Sequence, residues 1–157
     1  MASSGITIIS ENPSRTKKMG KRLASRLKGG EVLAFFGDLG AGKTTFIKGL
    51  INWFLPGRRV ISPTFIIVRQ YWPVRTKVSQ IIHADLYRLE KIPEIEDLGL
   101  TDFYNNPGAV LLIEWAGKIQ GFLPEKRLEL HFDVKEDNSR IITIKHMNQF
   151  PHLKNIF

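Results

Sequence analysis

The stretch that most constrains this chain is EVLAFFGDLGAGKTT, residues 31 to 45, where a short apolar run breaks into a glycine-rich turn closed by a lysine and two threonines. Val32 to Phe36 is rich enough in Val and Phe to be a buried strand, and Gly37 ends it. The spacing Gly37, four residues, Gly42, Lys43, Thr44 fits G-x-x-x-x-G-K-[ST]. In that pattern successive backbone N–H groups curl into an anion-binding nest, and the following helix turns its positive end toward phosphate. Gly40 and Gly42 supply the dihedrals the nest requires, while Ala41 keeps its rim low. Residues Gly37, Asp38, Leu39, Gly40, Ala41, Gly42, Lys43, Thr44 and Thr45 are therefore the expected phosphate cradle. Lys43 would reach the β- and γ-phosphates, the Thr44 hydroxyl would take one position on Mg²⁺, and Thr45 would add a phosphate contact.

A glycine turn that binds nothing is the plain alternative. At ordinary residue frequencies the four fixed positions arise by chance in a chain of this length roughly one time in two hundred. The context argues further for a ligand, because Ile47, Leu50, Ile51 and Phe54 follow at helical spacing.

A length of 157 residues suits one domain, here 1–157, and 43% hydrophobic with 24% charged residues is the composition of a globular protein. Cysteine is absent, which excludes disulfide partners and thiolate metal sites and fits a reducing compartment. The N-terminus MASSGITIIS has no basic region ahead of a long apolar core, and no apolar run approaches the length of a membrane span. No membrane association is expected, and a cytoplasmic location is the default.

The net charge of +8 is compatible with nucleic acid, an acidic partner or ATP itself. The densest basic stretch, Lys17, Lys18, Lys21, Arg22, Arg26 and Lys28, coincides with a helix whose apolar positions Met19, Leu23 and Leu27 recur every four residues. Its charges then occupy the opposite, solvated side.

In chain order, Ile6 to Ile9 reads as a strand, and Asn12 with Pro13 as a helix start whose helix should stop at Gly29 and Gly30. The helix after the phosphate loop should end near Phe54, before Pro56 and Gly57, and these two helices should flank the sheet. Phe65 to Tyr71 and Val78 to His83 suggest a hairpin around a charged turn. Residues 94 to 105 carry a short, glycine-interrupted helical pattern. Ala109 to Glu114 looks like a central parallel strand, and Arg127 to Val134 with Arg140 to Met147 reads as a closing antiparallel hairpin. The tail from Asn148 is expected to be less ordered. These elements are expected to make an α/β chain, with helices flanking a sheet and antiparallel hairpins in it.

Two acids fit the needs of a nucleotide site by context. Asp85 follows an apolar run, Glu114 closes another, and in open α/β sheets ligands sit beyond the carboxyl ends of strands. Either could be a cap or surface charge, but the phosphate loop favours metal and water roles. Thr64, in Ser62-Pro63-Thr64, could sense a γ-phosphate as switch loops do. His83 reads as a packed or paired histidine rather than a ligand or base.

With GDLGAGKTT, SPTF, HADLYRL and IEWA in this order, essentially the whole chain resembles the bacterial TsaE (YjeE) family, small ATPases required for the threonylcarbamoyladenosine modification of tRNA. The resemblance implies an α/β P-loop NTPase fold with a central mixed sheet, flanking helices and antiparallel hairpins, ATP and Mg²⁺ as cofactors, action through a TsaB–TsaD pair, and room for an indirect or weak tRNA contact. It further implies that Lys43 and Thr44 bind phosphate and metal, that Thr64 is switch-like, that Asp85 and Glu114 are the acids of their motifs, and that Trp115 lies close to the nucleotide. Thr44, Asp85 and Glu114 are the expected metal oxygens, and Lys43, Thr64, Asp85 and Glu114 the expected catalytic set. Gln70 departs from the glutamate common in the family at that position. A P-loop small-molecule kinase and a nucleotide-switched basic RNA-binding or assembly factor are the rivals. A GTPase is disfavoured because the guanine-reading N-K-x-D is absent. Arg88 is a candidate internal arginine finger, and slow hydrolysis with stimulation by partners is expected.

Overall fold

The structure is a computed structural model that describes residues 5–63 and 67–157. The expected switch residue Thr64, and the first two residues of the expected strand beginning at Phe65, lie outside the described residues. Strand β1 (Ile6–Ser10) leads to α1 (Pro13–Ala24), β2 (Val32–Phe36), α2 (Lys43–Phe54), β3 (Val68–Tyr71) and β4 (Gln80–Asp85). After α3 (Ile92–Glu96) come β5 (Ala109–Glu114), β6 (Leu128–Val134) and β7 (Arg140–Lys145).

All seven strands form one mixed sheet in the order β1-β7-β6-β2-β5-β4-β3. β2 lies parallel to both β5 and β6, and β4 lies parallel to β5. The expected hairpins are present as antiparallel β3–β4 and β6–β7 pairs, and β1 closes the far edge against β7. The two apolar runs occupy the middle because their strands are covered on both faces.

Side-chain alternation divides the core. Leu33, Phe35, Ile81, Val110 and Leu112 pack on the face that carries α1 and α2. Val32, Ala34, Ile82, Ala84, Leu111 and Ile113 face Leu86, Leu89, Ile95, Leu100 and Ile119 from the segment that covers the other side. Both long helices thus lie on one face, with their backbones in close approach. A Cβ on Gly20 would meet the Phe46 carbonyl oxygen at 2.1 Å, and one on Gly49 would meet that of Lys17 at the same distance. The basic residues of α1 are all exposed, as the helical spacing predicts.

Two local expectations are corrected, the end of α1 and the order of the tail, and a third is refined. α1 stops at Ala24, not at the glycines, because the Glu31 carboxylate collects the backbone N–H groups of Lys28 and Gly29, each at 2.8 Å. Gly29 and Gly30 instead carry the chain past Pro107 with positive φ of 100° and 89°. The helical pattern at 94 to 105 resolves into α3 and a separate 3₁₀ turn at Leu100–Phe103, divided by Gly99 at φ 66°. The tail is ordered: Met147, Phe150, Leu153 and Ile156 are all buried, and His152 Nε2 lies 2.9 Å from Glu31 Oε1. Apolar residues at every third position suit the 3₁₀ turns that form there. Among the described residues no helix is long and apolar enough to cross a membrane.

Candidate functional site

The parallel strands β2, β5 and β4 end together, and that common end organises the site. Asp85 and Glu114 are direct register partners across β4 and β5, and Glu114 pairs with Phe35 across to β2. The loop after β2 turns over these ends through Gly37, Gly40 and Gly42, whose φ values are 137°, 78° and 107°. A side chain at Gly37 would also collide with the Phe132 carbonyl oxygen, 2.5 Å from the position of its Cβ. Gly42 begins α2 without a side-chain cap, leaving the first helical N–H groups for a ligand.

Inside this bend Lys43 is only 4% exposed. Its ammonium donates to the carbonyls of Gly37 and of Asp38, the latter at 2.9 Å, and sits 4.3 Å from the centroid of the Trp115 ring. Burial pushes its pKa down, opposed by the charges of Glu114, Asp85 and Asp38. A cation left partly desolvated among acids is suited to meet a polyanion. Trp115 itself follows β5 with φ 60°, and its ring lies 5.0 Å from that of Tyr87.

Glu114 is 1% exposed and both of its oxygens are engaged. The Thr44 hydroxyl donates to Oε1 at 2.6 Å, and His83 Nε2 lies 2.8 Å from Oε2. On the neighbouring strand Asp85 accepts from the Tyr87 backbone N–H at 3.0 Å, and the Ser62 hydroxyl lies 3.5 Å from its other oxygen. The sequence thus brings Lys43, Thr44, Asp85, Glu114 and Trp115 to one place. They line a cleft of about 220 Å³ together with Leu39, Gly40, Ala41, Gly42 and Thr45. Gly37 and Asp38 stand behind the cleft wall and act through their carbonyls on Lys43.

The other wall was not anticipated. Ser10, Asn12, Pro13, Thr16, Asn138 and Arg140 form it, from the start of α1 and the β6–β7 turn. Asn12 was legible as a helix cap, and its side chain does accept from Arg15 N–H at 2.9 Å. Its place beside the phosphate loop depends on β1 and β7 pairing at the sheet edge, which no local pattern announces. Arg140 lies along Gly42 and donates from Nη2 to the Gly40 carbonyl at 3.2 Å, and from Nη1 to that of Asn138. Arg88, the arginine singled out in the sequence, is exposed and does not line the cleft. Gln70 lies on β3, where it accepts from Gln80 at 2.7 Å, away from the cleft lining.

Among the described residues no group of three or more histidine, aspartate or glutamate side chains forms a metal cage. What the site offers is the Thr44 hydroxyl and the carboxylates of Asp85 and Glu114. Those hard oxygen donors fit Mg²⁺, which is held by one or two carboxylates with phosphate and water supplying the rest.

The family model described as "Threonylcarbamoyl adenosine biosynthesis protein TsaE" matches residues 10–142. The chain is 43% identical over 132 residues to the Bacillus subtilis tRNA threonylcarbamoyladenosine biosynthesis protein TsaE, covering 84% of this chain and 80% of that protein. It is 38% identical over 138 residues to the Rickettsia felis protein of the same name, covering 87% and 78%. The crystal structure of B. subtilis YdiB superposes with a TM-score of 0.75 at 31% identity, covering 98% of this chain and 93% of that one.

Proposed function

Because the chain belongs to the TsaE family, we propose that it is a Mg²⁺-dependent ATPase acting with a TsaB–TsaD-type protein pair in forming N6-threonylcarbamoyladenosine in tRNA. The observation that carries the reading is the buried Glu114 carboxylate, fixed between Thr44 and His83 at the strand ends under the phosphate loop. A cytoplasmic location suits a tRNA substrate.

ATP would lay its phosphates in the loop from Gly37 to Thr45. Lys43 would exchange the carbonyls of Gly37 and Asp38 for β- and γ-phosphate oxygens, recovering in ionic contacts what burial costs its charge. Thr44 donates its hydrogen to Glu114, which leaves its oxygen lone pairs for a metal. Thr44, Asp85 and Glu114 would hold Mg²⁺, directly or through water, and the ion would neutralise charge between the β- and γ-phosphates. Each oxygen of Glu114 keeps a further lone pair, with which it would orient or deprotonate the attacking water. Trp115 would cover the nucleotide, and Arg140 would face it from the opposite flank. Thr64 would report on the γ-phosphate from the SPTF segment.

An arginine supplied at the right moment is worth 10³ to 10⁵ in rate in related chemistry. Hydrolysis by this chain alone is therefore expected to be slow, with the partner pair raising it. The test measures ATP hydrolysis with and without the TsaB–TsaD pair, and tRNA modification with the wild type and Lys43→Ala. Partner stimulation, and loss of nucleotide binding and modification in Lys43→Ala, support the reading. Fast turnover indifferent to partners would return the chain to the kinase reading.

A further inference from the structure

We propose that His83 is a positioning residue for Glu114: its imidazole donates from Nε2 and locks the carboxylate in the orientation that water activation requires. The inference rests on the ATPase reading above and concerns a side chain whose sequence context suggests only packing or pairing.

His83 is fully buried on β4, between Ile81 and Asp85 on the same side of the strand, and its register partner is the apolar Leu112. A leucine there would meet an apolar layer without any polar group to satisfy. The imidazole instead brings two nitrogens into the interior, and among the described residues only one is satisfied: Nε2 lies 2.8 Å from Glu114 Oε2, while the buried Nδ1 has no hydrogen-bond partner there. A buried polar atom without a partner costs about 1–3 kcal/mol. Packing alone gives no reason to carry that cost, whereas the bond to Glu114 does.

The acceptor decides the direction of that bond. An ionised carboxylate oxygen has no hydrogen to give, so the hydrogen between them lies on Nε2. Nε2 therefore donates to Oε2 while the Thr44 hydroxyl donates to Oε1. With one donor on each oxygen the carboxylate cannot rotate, and its free lone pairs have fixed directions. A base oriented by a third group is a recurrent arrangement at activated nucleophiles. Here His83 holds that place without reaching the cleft surface, for it is absent from the cleft lining.

The experiment compares wild type, His83→Leu and His83→Gln in single-turnover hydrolysis at saturating Mg-ATP, with nucleotide Kd and Tm measured for each. His83→Leu is expected to lose about 10- to 100-fold in rate, the usual consequence of removing an orienting partner, with Kd near that of the wild type and a Tm lowered by no more than the one hydrogen bond that Glu114 loses. His83→Gln keeps an N–H donor and is expected to recover most of the rate. A folded His83→Leu that hydrolyses like the wild type overturns the proposal. So does a loss of affinity and Tm in both variants in parallel with rate, which is the pattern of a packing role. Imidazole nitrogen NMR of the wild type gives a test independent of turnover, since an Nε2 without a hydrogen would contradict the assignment. A wild type that hydrolyses no ATP even with partners would sink the ATPase reading on which this proposal rests, whereas a wild type that hydrolyses ATP and a folded His83→Leu that matches it would sink this proposal alone.

Discussion

Two glutamates are buried in the strands on either side of β2, and their surroundings could hardly differ more. Glu129 on β6 is register partner of Ala34, and Glu114 on β5 is register partner of Phe35, so they point to opposite faces of the sheet. Glu129 is held by the Arg127 guanidinium at 2.7 Å and by His131 at 3.0 Å, with His146 at 3.7 Å. Burial pushes its carboxyl pKa up, but the hydrogen bonds from His131 and Arg127 and the charge of Arg127 prevail and hold it below the ordinary value. Its needs are met inside the fold. Among the described residues Glu114 has only a hydroxyl and an imidazole as donors, and it opens onto a cleft that also holds Lys43 and Asp85. A buried carboxylate closed by its own cation stabilises structure, whereas one left with unfilled lone pairs beside a phosphate loop is available for chemistry.

That contrast can be broken by experiment. Glu129→Ala should cost about 1–3 kcal/mol in urea unfolding, because it strands Arg127 beside a half-buried polar gap. ATP turnover per folded molecule should not change. If turnover fell while stability held, the assignment of structural and chemical roles would be reversed. A smaller effect concerns pH. Since the folded-state pKa of Glu129 is depressed, its contribution to stability is complete above the ordinary value of 4.5 and is lost as pH falls through the folded value. The acid limb of a Tm profile should therefore be shallower in Glu129→Gln than in the wild type, and identical limbs would contradict the role given to Arg127 and His131. The smallest change sharpens the description of the cleft. Arg140→Ala should weaken ATP binding by about tenfold, in line with losing one charge-assisted contact. Adenosine binding should be little affected. Equal losses for both ligands would place Arg140 at the nucleoside rather than at the phosphates.

The difference between the glutamates was only half visible in the sequence. Glu114 could be found because it closes an apolar run, and the phosphate loop because four residue types at fixed spacing state their own chemistry. Both are local signals. His83 was legible as paired, but its partner lies on the next strand and emerges only from the β4–β5 register. Arg140 and Asn12 escaped for the same reason, since the pairing of β1 with β7 and of β7 with β6 brings them to the cleft. The end of α1 differs from its expected place because a side chain far from the helical pattern decides it, whereas α2 ends at Phe54 as its pattern indicates. Glu31 captures the N–H groups that α1 would have used to continue toward Gly29. The tail was underestimated because its apolar residues recur at threes, a spacing that serves 3₁₀ turns rather than either regular element.

The central claim is that Glu114, and not merely any buried acid beside β2, acts on ATP. Its most direct test is single-turnover hydrolysis of saturating Mg-ATP by Glu114→Gln and Glu129→Gln in the same assay, with nucleotide Kd measured for both. The account predicts a loss of at least about 100-fold for Glu114→Gln with affinity retained, and a wild-type rate for Glu129→Gln. A Glu114→Gln protein that binds and hydrolyses ATP like the wild type would contradict it.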